Sequence, residues 1–186
     1  MDFFTLHLGK MSPMAAITEK TRKETGAADD IVSVVRGHMA KNASSDIITW
    51  AMLGGKHFMA AKPSSTIDFV RASVRGIPKL SVMNLAAILS VPMKDMAVLL
   101  NVSYKTLGRK KRMDILDSIS SSLSIEIANT VAKGLSVFED ADKFNRWLHK
   151  KNRALKGQKP FDLLSTPTGI KLVNQILGRI EEGVYS

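Results

Sequence analysis

The chain has 186 residues, a formal net charge of +10, 45% hydrophobic residues and only 6% aromatic ones. That length and apolar share are enough for a buried core in one or two domains, and the abundance of Ala, Leu, Ile, Val, Met and Lys favours helix over sheet. There is no cysteine, which excludes disulfides, thiolate metal sites and a cysteine nucleophile and fits a reducing cytoplasm.

Residues 1–27 are mixed and polar, with Pro13, Gly26 and the charged run TEKTRKET, and are expected to form an arm or a short helix. The opening MDFFTLHLGK has no basic stretch leading into a long apolar one, so no secretory signal is expected. No run of about 18 apolar residues occurs, so no membrane span is expected. Asp29 and Asp30 precede the periodic run Ile31, Val34, Val35, Met39, which predicts a short helix. Ile47, Ile48, Met52 and Leu53 predict a second one that weakens at Gly54 and Gly55. Pro63, Ser64 and Ser65 mark a boundary.

Helical patterns then follow closely. Ser65 or Thr66 caps a helix carrying Ile67, Val70 and Val74 that stops at Gly76. Ser81 is expected to cap the next, with Met83, Ala86, Ala87 and Leu89 on it. Pro92 suits the first turn of a helix whose inner face is Met96, Ala97, Leu99 and Leu100. Ser103 caps a short basic helix. The pattern predicts a helix from Asp114 to Leu123, a longer one that Ser124 starts and that runs through Phe138, one that Asp140 starts and that ends at 147–149, and a last one from Pro167 to Glu182. No alternation typical of a strand exceeds four residues and no internal repeat occurs, so the fold class is all-α. The expected organisation is an N-terminal arm with helices over 1–63, a second unit over 64–123 and a third over 124–186.

The charge is uneven. Residues 64–123 carry nine basic and four acidic groups, and KTLGRKKR places five bases within eight residues. Nucleic acid is the leading reading of such a cluster, and a solvated helix face is the plainer one. The surrounding stretch VPMKDMAVLLNVSYKTLGRKKR has the spacing of a helix-turn-helix. Ala97 is small where a second helix must cross. Asn101 occupies the turn position usually held by glycine, and Asn is the next-best residue for a left-handed backbone. Val102 plugs the core, Ser103 caps the second helix and Leu107 faces back onto the scaffold. Tyr104, Lys105 and Thr106 are then candidates for base edges, Arg109, Lys110, Lys111 and Arg112 for phosphates, and Ser103 at the helix start belongs to the same DNA-contacting set. One module of this kind binds weakly, so a homodimer on an inverted repeat is expected.

Signals for catalysis are lacking. His7, His38, His57 and His149 are scattered without metal-ligand spacing. No Gly-rich phosphate loop, nucleophile elbow or useful acid pair occurs. Neither an enzymatic activity nor a cofactor or metal is expected.

The last fifty residues contain RWL, NRAL, PFDLL, TPTG and RIEEGVYS in that order. Each piece is unspecific alone, but five in order are hard to obtain by chance. This segment resembles the toxin-binding domain of the Xre/MbcA/ParS-type antitoxins, and the resemblance covers roughly residues 64–186. It implies an Xre-like helix-turn-helix domain followed by a small helical toxin-binding domain. It further implies a cytoplasmic antitoxin that occludes the active site of a RES-domain, NAD-depleting toxin and represses its own operon by binding operator DNA as a dimer. The toxin contacts it implies are Arg179, Glu181, Glu182, Gly183, Val184, Tyr185 and Ser186. Trp147, Leu148 and Leu163 are expected to belong instead to a small core. The sequence departs from the family pattern at Asn101 and in IEIANTVAKGLSVF, which lacks the arginines common in relatives. Two other readings of the residues stand beside this one: a stand-alone helix-turn-helix regulator with a C-terminal dimerisation domain, and a protein-binding scaffold with an incidental basic face.

Overall fold

The computed structural model describes residues 30–41 and 43–183. The expected arm over 1–27, with His7, therefore lies outside the described residues, as do Val184, Tyr185 and Ser186. Among the described residues ten α-helices follow one another: α1 (30–39), α2 (Ser45–Met52), α3 (Thr66–Arg75), α4 (Lys79–Ile88), α5 (Met93–Leu99), α6 (Tyr104–Arg109), α7 (Ser118–Phe138), α8 (Ala141–His149), α9 (Pro160–Leu163) and α10 (Pro167–Glu181). Single 3-10 turns form at Gly55–His57 and Arg153–Leu155. No strand occurs among the described residues, and the protein is all-α.

Polar side chains set five of the helix starts. Ser65 and Asp68 form a reciprocal capping box on α3. The Ser103 hydroxyl accepts from Thr106 N on α6, Asp117 from Ser120 N on α7, Asp140 from Asp142 N and Lys143 N on α8, and Thr166 from Gly169 N on α10. Backbone N–H groups of Ser120, of Lys143 and of Ser64 hold the carboxyls of Asp117, Asp140 and Asp68 respectively below the usual aspartate range.

Two expectations about helix starts need correction. Ser81 does not cap a helix: α4 begins at Lys79 behind Pro78, and the buried Ser81 hydroxyl donates to the Leu53 carbonyl at 2.5 Å. That bond ties α4 to the end of α2. The patterns over 114–123 and 124–138 are not two helices either. Residues 111–114 form a turn closed by Asp114 N on the Lys111 carbonyl, and the non-helical stretch 115–117 meets the segment before α4 in a bridge between Pro78 and Ile115. Helix α7 then runs unbroken for 21 residues. Ser124 does not interrupt it because its hydroxyl donates back to the Ser120 carbonyl at 2.7 Å, which satisfies a buried serine inside a helix.

α7 is the axis of the molecule and packs against α2, α3, α8 and α10. The apolar core runs as one cluster from Ile31 to Leu177, so it crosses both 63/64 and 123/124, and 123/124 falls inside α7. Gly134 on α7 lies under the ring of Phe144, where a Cβ would collide with it. The missing side chain lets α8 seat the fully buried Phe144 and Leu148. Phe144, Phe138 and Trp147 stack together at 5.4–6.1 Å between ring centres. Leu148 is buried as expected of a core residue, whereas Trp147 and Leu163 are half-buried against that core.

Candidate binding surfaces

Helix α6 is short and its placement depends on the turn before it. α5 ends at Leu99, Asn101 turns the chain with φ 54°, and Val102 N donates back to the Ala97 carbonyl at 3.0 Å. Ala97 is buried, as a close crossing requires. Ser103 starts α6, its hydroxyl lying 2.9 Å from Thr106 N and 2.7 Å from Thr106 Oγ1. Leu107 is the one buried residue of α6 and holds it to the body.

The structure separates the basic cluster into parts. Tyr104, Lys105, Thr106 and Arg109 are exposed on α6, with Ser103 at its start. Lys110 is half-buried; its ammonium donates to the Ile115 carbonyl at 2.7 Å, and its own carbonyl accepts from Lys79 Nζ at 2.7 Å. Lys111 is exposed, and its backbone N–H is held by Asp114. Arg112 lines a groove with Asp30, His38, Trp50 and Asn84, between α1, α2 and α4. Four of the bases expected together thus divide between α6 and the non-helical segment that follows it. The residues on α6 form a free polar face, and the segment is stitched to α4.

The second surface is the outward side of α10. At 3.6 residues per turn, Thr168, Lys171, Leu172, Gln175, Arg179 and Glu182 fall within an arc of about 100°. All six are exposed, while Ile170, Val173, Ile176 and Leu177 occupy the buried side. Leu172 is 40% exposed, a large apolar side chain amid polar ones. Glu181 is exposed too, but it continues the line of Ile170 and Leu177 beyond the end of the core. Gly183 follows with φ 75°, the left-handed conformation in which helices commonly end. Of the expected toxin contacts, then, Arg179 and Glu182 share one face with Lys171, Leu172 and Gln175, which the sequence motifs did not single out. Their spacing of three and four residues on the polar side of an amphipathic helix was the available signal.

A short corner supports α10. Pro160 opens α9, and Gly169 sits so close to the Leu163 carbonyl that any side chain there would strike it. The Phe161 ring packs on the His149 ring at 4.7 Å. Among the described residues no group of His, Asp or Glu side chains converges as metal ligands do. No single described helix is long and apolar enough to cross a membrane.

Residues 133–183 match the family model of the antitoxin Xre/MbcA/ParS C-terminal toxin-binding domain. The match starts in the second half of α7 and ends at Gly183, so it takes in α8, the α9 corner and all of α10. It supports an antitoxin role for the chain. The likeness noted for residues 64–132 lies outside the match. No curated protein matches the chain.

Proposed function

We propose that this protein is an antitoxin that binds and neutralises a RES-domain, NAD-depleting toxin. The contact is made by the outward face of α10, with Lys171, Leu172, Gln175, Arg179 and Glu182, and by Gly183, Val184, Tyr185 and Ser186 after it. The observation that carries this reading is the match of 133–183 to a toxin-binding domain whose last helix exposes a mixed apolar and charged stripe. A half-exposed leucine rimmed by Lys, Gln and Arg is the composition of a small docking centre with a polar edge. The antitoxin acts by covering the toxin's active-site cleft and supplies no chemistry of its own.

The same chain represses its operon as a homodimer on an inverted repeat, with Tyr104, Lys105 and Thr106 at base edges and Arg109 and Lys111 on phosphates. The exposed polar face of α6 and the net positive charge favour this. Lys110 and Arg112 contribute less, because one is bonded to backbone and the other lines a groove away from α6. The cytoplasm is the compartment in which these roles combine.

Co-expression with the adjacent gene product, followed by size-exclusion chromatography and an NAD-consumption assay, tests the first part. The expected result is a stable complex with suppressed NAD loss. Deleting Gly183–Ser186 is expected to release the toxin while leaving DNA binding intact. Unchanged inhibition after that deletion would remove the tail from the contact, and no complex at all would leave a helical DNA-binding regulator.

A further inference from the structure

Three side chains reach between the C-terminal segment and the backbone around α5. The Asn145 amide on α8 donates to the Ile88 carbonyl at 3.1 Å, and His149 Nε2 lies 3.3 Å from the Leu89 carbonyl. A carbonyl only accepts, so in this contact Nε2 carries the proton. Ile88 and Leu89 end α4, where helix carbonyls have no partner within the helix. On the far side of α5, the Asn101 amide donates to the carbonyl of Ser165 at 3.0 Å. Ser165 lies in the corner between α9 and α10, one residue before the cap of α10. Helix α5 is therefore gripped at its entry by α8 and at its exit by the α9–α10 corner. The tilted packing of the Phe161 ring against the His149 ring joins the two grips.

The cost of one of these contacts argues that it matters. Asn145 commits its amide to Ile88 and leaves its own carbonyl oxygen buried without a partner. An apolar residue there would avoid that penalty. Asn101 likewise holds a left-handed backbone that glycine would adopt more readily, and only asparagine also supplies an amide to Ser165.

We propose that Asn101, Asn145 and His149 are positioning residues that make the α5–α6 pair and the α9–α10 corner one mechanical unit. A protein seated on α10 then damps the local opening of α6. Because Leu107 is the one buried residue of α6, the order of its first turn depends on the turn at Asn101. A partner that rigidifies the corner lowers the ordering cost that DNA binding must otherwise meet, so the coupling is positive. This use of the coupling rests on the proposed function; the coupling itself does not.

The test needs neither DNA nor toxin. Amide exchange of the full chain is followed by NMR at Val102 and Leu107, which report the turn and α6, and at Leu53, which reports α2. Thr166→Ala removes the cap of α10 and so loosens the corner, and Asn101→Gly keeps the turn but deletes its amide. Each is expected to speed exchange at Val102 and Leu107 roughly two- to tenfold beyond any change at Leu53, the range set by one hydrogen bond. The double variant is expected to match Asn101→Gly alone at Val102. His149→Phe, which keeps a ring packed against Phe161 but has no proton to donate, is expected to give the same acceleration. Unchanged exchange at Val102 and Leu107, a uniform change that includes Leu53, or simple multiplication in the double variant would overturn the proposal. Failure of the co-expression experiment would instead remove the antitoxin reading and leave this coupling untouched.

Discussion

Helices α6 and α8 are both short, yet they are attached in opposite ways. α8 buries Phe144 and Leu148, slots its phenyl ring over Gly134 and grips the end of α4 with two polar side chains. α6 buries Leu107 and turns its other five residues to solvent. The first is a structural brace; the second exposes a polar face, which the proposed function makes a presenting surface. A helix with a single buried residue contributes little to the core, so its orientation has to be supplied from elsewhere.

The sharpest way to break this contrast is at the brace. Phe144→Ala is expected to cost about 3–5 kcal/mol, as for other buried aromatics, and to lower the melting temperature of the whole chain, read by circular dichroism. Leu107→Ala is expected to cost less, about 2 kcal/mol, because a short helix at the edge can relax around the smaller side chain. Its exchange rates should rise over 102–109 before they rise in α2. Equal, global destabilisation by both variants would show that α6 belongs to the core as firmly as α8 does.

The presenting role is tested by charge. Replacing Arg109 and Lys111 by Ala is expected to lower the slope of log affinity against log salt by about 0.9 for each phosphate no longer neutralised, measured by fluorescence anisotropy on duplex DNA. Stability should be nearly unchanged. If these two side chains do not meet phosphates, the slope will stay as it was.

The smallest effect concerns the caps. Asp68, Asp117 and Asp140 have carboxyls held below the usual range by backbone N–H groups. A depressed carboxyl contributes stability that is complete above the unfolded value of about 3.9 and is lost as pH falls through the lower folded value. The melting temperature is thus expected to hold from neutral pH to about pH 4 and to decline below it, with a shallower decline in Asp117→Asn. A fall between about pH 7 and pH 5 would point to groups other than these caps.

Local chemistry was legible wherever a residue acts on its immediate neighbours. Ser65, Ser103, Asp140 and Pro167 announce their helix starts, Gly76 ends α3, and Asn101 takes the left-handed turn that its side chain tolerates. Ser124 and Ser81 misled for a matching reason. A serine reads as a cap when only sequence is considered, but a buried serine bonds to whatever carbonyl the packing brings near, Ser120 in one case and Leu53 in the other.

The surfaces were legible in part. The basic run showed its charge, and tertiary contacts decided that Lys110 turns inward and Arg112 faces another groove. The tail motifs pointed to α10, while the stripe through Lys171, Leu172 and Gln175 became visible only once the buried side of that helix was fixed.

By itself the sequence determined the helical class, most helix starts, the charge of the middle segment and the likeness of its tail to a toxin-binding domain. These depend on interactions between residues close in the chain or on composition. Only the tertiary structure decided that α7 is continuous, that one core crosses the expected boundaries, and that Asn101 meets Ser165. Those contacts join residues far apart in the chain, whose side chains carry no local sign of the partner that packing brings to them.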